Sequence, residues 1–205
     1  MKHIILTFLI FASSALRAND YLVPIDPFAG LYNQAVYESL IGETNSELWM
    51  ITRPSFSPEQ AIILESETIE DKNKHTITSQ KWFLKEVLAN EIIIKDISDI
   101  KKTDNVSTKR IEIKKSQYEN IIKAWTAAVR KTRYPEKSNR GFDGTTYQFY
   151  ASYNLYGETW SPEQGIAYNL VGLGQLLIAI VNQPKNTEKL LIRANELSNE
   201  ILQTP

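Results

Sequence analysis

The stretch DGTTYQFYASYNLYGETWSPEQG, Asp143 to Gly165, decides the fold. Asp143-Gly144 starts a turn. The residues after it alternate, so an extended chain sends Thr145, Tyr147 and Phe149 to one side and Thr146, Gln148 and Tyr150 to the other. YGETW continues as a second, antiparallel strand, with the turn between the two near Asn154. Ser161-Pro162 then reads as a helix start: serine accepts backbone hydrogen bonds as a cap, proline suits the first helical position, and Gln164 reaches back to close the box. Ile166, Leu170, Leu173, Leu177 and Ile180 supply one apolar stripe for a helix over about Pro162–Val181. A strand pair that feeds into a helix is the signature of an α+β chain.

SPEQ also occurs at Ser57–Gln60, inside FSPEQ. There the isoleucines of the AIIL that follows favour a strand, so one turn leading into a strand is expected. The flanks of the two copies do not otherwise align, so the repeat is local grammar and not a duplicated domain.

Upstream, Ser116-Gln-Tyr-Glu119 reads as a capping box. Tyr118, Ile121, Ile122, Trp125, Ala128 and Val129 fall on one face of the helix it opens, and Lys123, Arg130 and Lys131 on the other. Before it, ELWMITR, AIILESET, HTITSQKWF, EIIIKDI and KRIEIKK read as antiparallel strands, with the charged loop DIKKTDNVST ahead of the last. Asp26-Pro27 opens a helix that runs to Gly42, and a last helix after Pro184 places Leu190, Ala194, Leu197 and Ile201 on one side. The expected architecture is one α+β domain over 19–205, an antiparallel sheet of about five to seven strands packed against several helices.

The first 18 residues read as a secretory signal: basic Lys2 and His3, the apolar run IILTFLIFA, and a small-residue exit with cleavage after Ala18 or Ala15. Cleavage after Ala18 removes Lys2 and Arg17, leaving 21 of the 23 basic side chains against 24 acidic ones, a net charge of −3. Such a chain offers no field for nucleic acid, and the run Leu170–Val181 is too short to span a membrane. With no cysteine it has neither disulfides nor a site for a lipoprotein lipid. The expected address is the periplasm, with full secretion as the alternative.

Most catalytic chemistry lacks its parts. His75 is the one histidine beyond the signal, and it sits beside EDKNK in an expected hairpin turn, so neither a Cys-His pair nor a histidine-rich zinc site can be assembled. Ser98-Asp-Ile-Lys101 has the S-x-x-K spacing without its partner motifs, and Gly172-Leu-Gly174 lies inside a helix, where glycine allows close packing. No cofactor and no metal is expected.

One constellation remains. Arg130, Arg133, Tyr134, Arg140, Asp143, Tyr147, Tyr150, Glu158 and Trp160 are expected to gather around the hairpin as an aromatic, arginine-rich binding surface for a protein, peptide or glycan. The alternative is that the aromatics are core, Asp143 caps a turn and the arginines are solvated. DGTTY followed by ETWSP and an apolar helix also resembles a pattern in exported proteins of Gram-negative bacteria, over roughly Trp125–Val181. That group has no established activity, so the resemblance implies the periplasmic address and no catalytic residues. Two functions follow as expectations. One is a non-enzymatic periplasmic protein that binds a macromolecular partner, an immunity protein against an incoming toxin among its forms. The other is a cell-wall glycan hydrolase using Asp143 and Glu158 as paired carboxylates.

Overall fold

The computed structural model describes residues 21–42, 44, 46–71, 76–93, 103–134, 143–152 and 154–204. Its order is α1 (Leu31–Leu40), β1 (Ser46–Pro54), β2 (Gln60–Asp71), β3 (Thr76–Ala89), β4 (Val106–Ile113), α2 (Lys115–Val129), β5 (Thr145–Ala151), β6 (Leu155–Trp160), α3 (Gly165–Asn182), a 3-10 turn (Pro184–Asn186) and α4 (Thr187–Gln203). The six strands form one antiparallel sheet in the order β4-β3-β2-β1-β5-β6, so the fold is α+β. The first four strands are a meander. The chain then passes through α2 and returns β5 to the open side of β1, pairing Trp49 with Tyr150 and Arg53 with Thr146.

Alternation divides the sheet's side chains between two layers. On the inner face Leu48, Met50, Ile62, Leu64, Leu84 and Phe149 pack under α2, α3 and α4. Trp125 of α2 is fully buried there, set edge-on to Phe149 at 5.5 Å, and its indole N–H donates to the Tyr150 carbonyl at 2.9 Å. Gly174 lets α3 lie close to the sheet, since a Cβ at that position would sit 2.5 Å from the Met50 thioether. By length and composition α3, with 18 residues and a mean hydropathy of 1.5, is able to cross a membrane; half of it is buried within this fold. On the outer face Trp49, Ile51, Ala61, Ile63 and Val87 pack under α1.

Helix starts depart from expectation, and at α1 and α3 the capping groups serve a turn or the sheet instead. Asp26 accepts the Phe28 N–H at 2.9 Å in a turn, so α1 begins only after Gly30, whose φ is 84°. Ser161 (φ 36°) closes the β5–β6 pair, its Oγ accepting the Thr145 N–H and its own N–H donating to the Thr145 carbonyl, both at 2.9 Å. The start of α3 therefore slips to Gly165 (φ 75°), with Gln164 extended and making no side-chain cap. The first SPEQ forms no helical turn; a bend at 55–57 runs into β2 at Gln60. In α2 the start moves two residues upstream, with the Lys114 N–H donating to Gln117 Oε1 at 2.9 Å. Glu91–Ile93 of the expected EIIIKDI strand is irregular, and the rest of that segment, with the Ser98–Lys101 motif, lies outside the described residues. So do the signal segment, His75 and Arg140.

Candidate functional site

The sheet's outer face carries a polar cluster that alternation sets beside its aromatic core. Arg53 on β1, Gln148 on β5 and Glu158 on β6 stand on this face, which α1 covers in part. Arg53 Nη2 meets Glu158 Oε2 at 2.8 Å, with the two side chains 11% and 7% exposed. Gln148 Nε2 donates to the same oxygen at 3.1 Å, and Arg53 Nη1 donates to Asn33 Oδ1 of α1 at 2.5 Å. The guanidinium also lies 5.4 Å from the centre of the Tyr32 ring. Tyr32 in turn donates its hydroxyl to Glu59 Oε1 at 2.9 Å, and Glu59 Oε2 accepts the Ile93 N–H at 2.9 Å. Burial first, then the Glu59 charge, raises the Tyr32 hydroxyl well above its ordinary pKa, so it remains a donor.

This chain of contacts borders a cleft of about 790 Å³, whose walls include Asp26, Tyr32, Arg53, Glu59, Thr146 and Glu158. Beside it runs an aromatic strip. Trp49 stacks on Tyr150 at 5.7 Å, Tyr150 meets Tyr156 at 5.2 Å, and Tyr37 meets Phe28 edge-on at 4.9 Å, with Phe28 48% exposed. The outer edge of β6 is closed by Val23, whose N–H and carbonyl exchange 2.8 Å hydrogen bonds with Glu158. Leu22, next in the chain, accepts the Arg133 N–H at 2.8 Å, which ties the end of α2 to this edge.

The expected surface is thus split. Tyr150 and Trp160 are half-buried on the outer face, and Glu158 is buried there in its ion pair. The Trp160 ring covers Gly144 so closely that a Cβ there would lie 2.7 Å from it. Arg130, Arg133 and Tyr134 are exposed past the end of α2, with Tyr134 87% exposed, and Asp143 is exposed in the turn before β5. Tyr147 faces the other way. It is buried against the helices, its hydroxyl accepting from Gln175 at 3.3 Å, and burial raises its pKa. It belongs to the inner core because it shares strand parity with Phe149, not with Tyr150.

Asp143 and Glu158 stand at different places along the β5–β6 pair. Glu158 lies opposite Gln148, five residues along from Asp143, a separation on the order of 16 Å at strand rise, beyond the 5–9.5 Å that paired catalytic carboxylates need. The cluster's other members, Tyr32, Asn33, Arg53 and Glu59, were not singled out from the sequence. Arg53 carries a usable signal: in LWMITR it occupies the parity of Trp49 and Ile51, so alternation turns a charge toward a buried face. Glu59 falls inside the first SPEQ, which reads only as a turn leading into a strand.

Among the described residues no group of three or more His, Cys, Asp or Glu is placed to hold a metal ion. No family model, curated protein or solved structure matches this chain.

Proposed function

We propose that this chain is an exported, periplasmic, non-enzymatic protein that binds a macromolecular partner along the β6 edge and the outer face beside it. The observation that carries the reading is the way one side of the molecule combines a fixed polar cleft with exposed anchor side chains. Arg53, Glu158 and Gln148 are held by one another, so the cleft is ordered before anything docks. Phe28, Arg133 and Tyr134 stand exposed around that edge, residue types that often dominate partner affinity. Immunity against an incoming toxin is one form of this function, and a toxin gene beside this one would support it.

Arg133→Ala and Tyr134→Ala are expected to weaken capture of the partner from a periplasmic extract by about 30-fold or more, with the thermal midpoint nearly unchanged. These exposed residues are better probes than Trp160, whose ring also packs over Gly144. Capture that survives both substitutions would overturn the proposed surface. The address has its own test: mass spectrometry of the periplasmic fraction should find a mature N-terminus at Asn19, or otherwise Leu16. Intact Met1 in a membrane fraction would show an anchor instead.

A second reading, hydrolysis of a cell-wall glycan, draws on the fact that two buried carboxylates, Glu59 and Glu158, border one cleft. Hydrolysis of purified cell wall that disappears in both Glu59→Gln and Glu158→Gln would favour it over simple binding. Against it stands the engagement of each carboxylate by an internal donor.

A further inference from the structure

Gly172 and Gly174 share one helix but not one reason. At Gly174 the fold needs the missing side chain, since a Cβ would lie 2.5 Å from Met50. At Gly172 it does not: a Cβ there would meet only Leu197 Cδ2, at 3.5 Å, an ordinary contact. Glycine inside a helix is destabilising relative to alanine, so an interior glycine that packing does not require calls for another cause. A cavity supplies it. Gly172 lines a recess of about 720 Å³ walled by α3, α4, Tyr147 of β5 and the segment after β6, a volume typical of small-ligand sites. Its lack of a side chain keeps that recess open. We propose that the recess is a binding site for a neutral sugar, on the helix side of the sheet and away from the partner cleft.

Hydroxyl and amide groups stand in this wall beside apolar surface. Tyr147 is only 9% exposed, and its hydroxyl meets Gln175, also in the wall, at 3.3 Å. That bond is long and uses the phenolic oxygen as acceptor, while burial raises the pKa, so the proton stays in place to be given to a ligand. Ser161 Oγ accepts the Thr145 N–H at 2.9 Å and likewise keeps a proton to give. Asn169 and Gln175 add amides that both donate and accept. Leu176 and Leu197 supply apolar surface, and Tyr168, 53% exposed, an aromatic one.

Charge selects the ligand class. The cation in the wall, Arg193, is held by Glu196 at 3.1 Å and Glu200 at 3.3 Å, which leaves little pull on an anion. Glu163, exposed in the same wall, opposes an anion further. A sugar ring matches what remains, because its hydroxyls both give and accept hydrogen bonds and its C–H faces suit an aromatic side chain.

The test is a titration of the purified, isotope-labelled processed chain with cellobiose and with the N-acetylglucosamine disaccharide, followed by amide NMR. At least one disaccharide should bind saturably, with a Kd of about 1 mM or below, and shift the amides from Tyr168 to Gln175. Gly172→Leu should remove binding by filling the recess. Tyr147→Phe keeps the ring and should weaken binding by about fivefold. Gly172→Ala checks the packing argument: its thermal midpoint should equal or exceed that of the wild type. Alanyl-alanine, a charged ligand of similar hydrogen-bonding capacity, should bind more weakly than the disaccharide. No saturable shift with either disaccharide, or shifts that map outside the recess, would overturn the proposal. So would undiminished binding in Gly172→Leu or Tyr147→Phe, a lowered midpoint in Gly172→Ala, or tighter binding of alanyl-alanine. None of these outcomes depends on partner capture at β6, so either reading can fail alone.

Discussion

Trp125→Ala lowers the unfolding free energy by about 3 to 5 kcal/mol in a denaturant titration, the largest loss expected from a single core substitution here. The side chain is fully buried where α2 meets β5, so truncation leaves a large cavity under three helices. It also removes the donor to the Tyr150 carbonyl, and that carbonyl belongs to the backbone of a central strand. Trp125→Phe should fall between wild type and alanine, because it refills most of the volume without restoring the N–H. A loss below about 1 kcal/mol for the alanine variant would mean that α2 does not pack as described.

Glu158→Ala is expected to cost about 3 to 5 kcal/mol, since removing one member of a buried ion pair leaves the other charge uncompensated. Arg53 would then keep Asn33 and the Tyr32 ring but lose its carboxylate, at a site only 11% exposed. Arg53→Ala should cost a similar amount, because Glu158 keeps Gln148 but loses the guanidinium at 2.8 Å. The decisive measurement is the double variant Arg53→Met/Glu158→Leu. If the charge pair is the cause, it is more stable than either single variant, because apolar replacement of a buried pair is often close to neutral. Additive losses would mean that each residue contributes through packing alone. A damaged pair should also disorder the cleft, so partner affinity is best compared at matched stability.

The elements themselves were legible in the residues. Alternation from Thr145 to Tyr150, the turn at Asn154 and the apolar stripe of α3 depend on neighbours within a few positions, and each appears where that local pattern puts it. The misplaced helix starts show where local grammar gives way. Ser161 has both a cap's chemistry and a strand partner 16 residues away, and the strand partner takes it. The cleft was hidden for the same reason on a larger scale. Its central ion pair joins residues 105 apart, and Glu59 reaches Tyr32 across 27.

What the sequence by itself determined is the α+β class, the antiparallel texture, the amphipathic face of α2 and the lack of cysteine chemistry, all properties of composition and short-range periodicity. Tertiary structure decided which strands are neighbours, and with that everything functional. Returning β5 to β1 sets Arg53 over Glu158, sends Tyr147 to the core while Tyr150 joins the outer aromatic strip, and places β4 at the far end of the sheet from β6. A strand's own residues specify its two faces, but strand order is selected by the total burial of all six strands and four helices together. That sum over distant contacts is not written in any one segment.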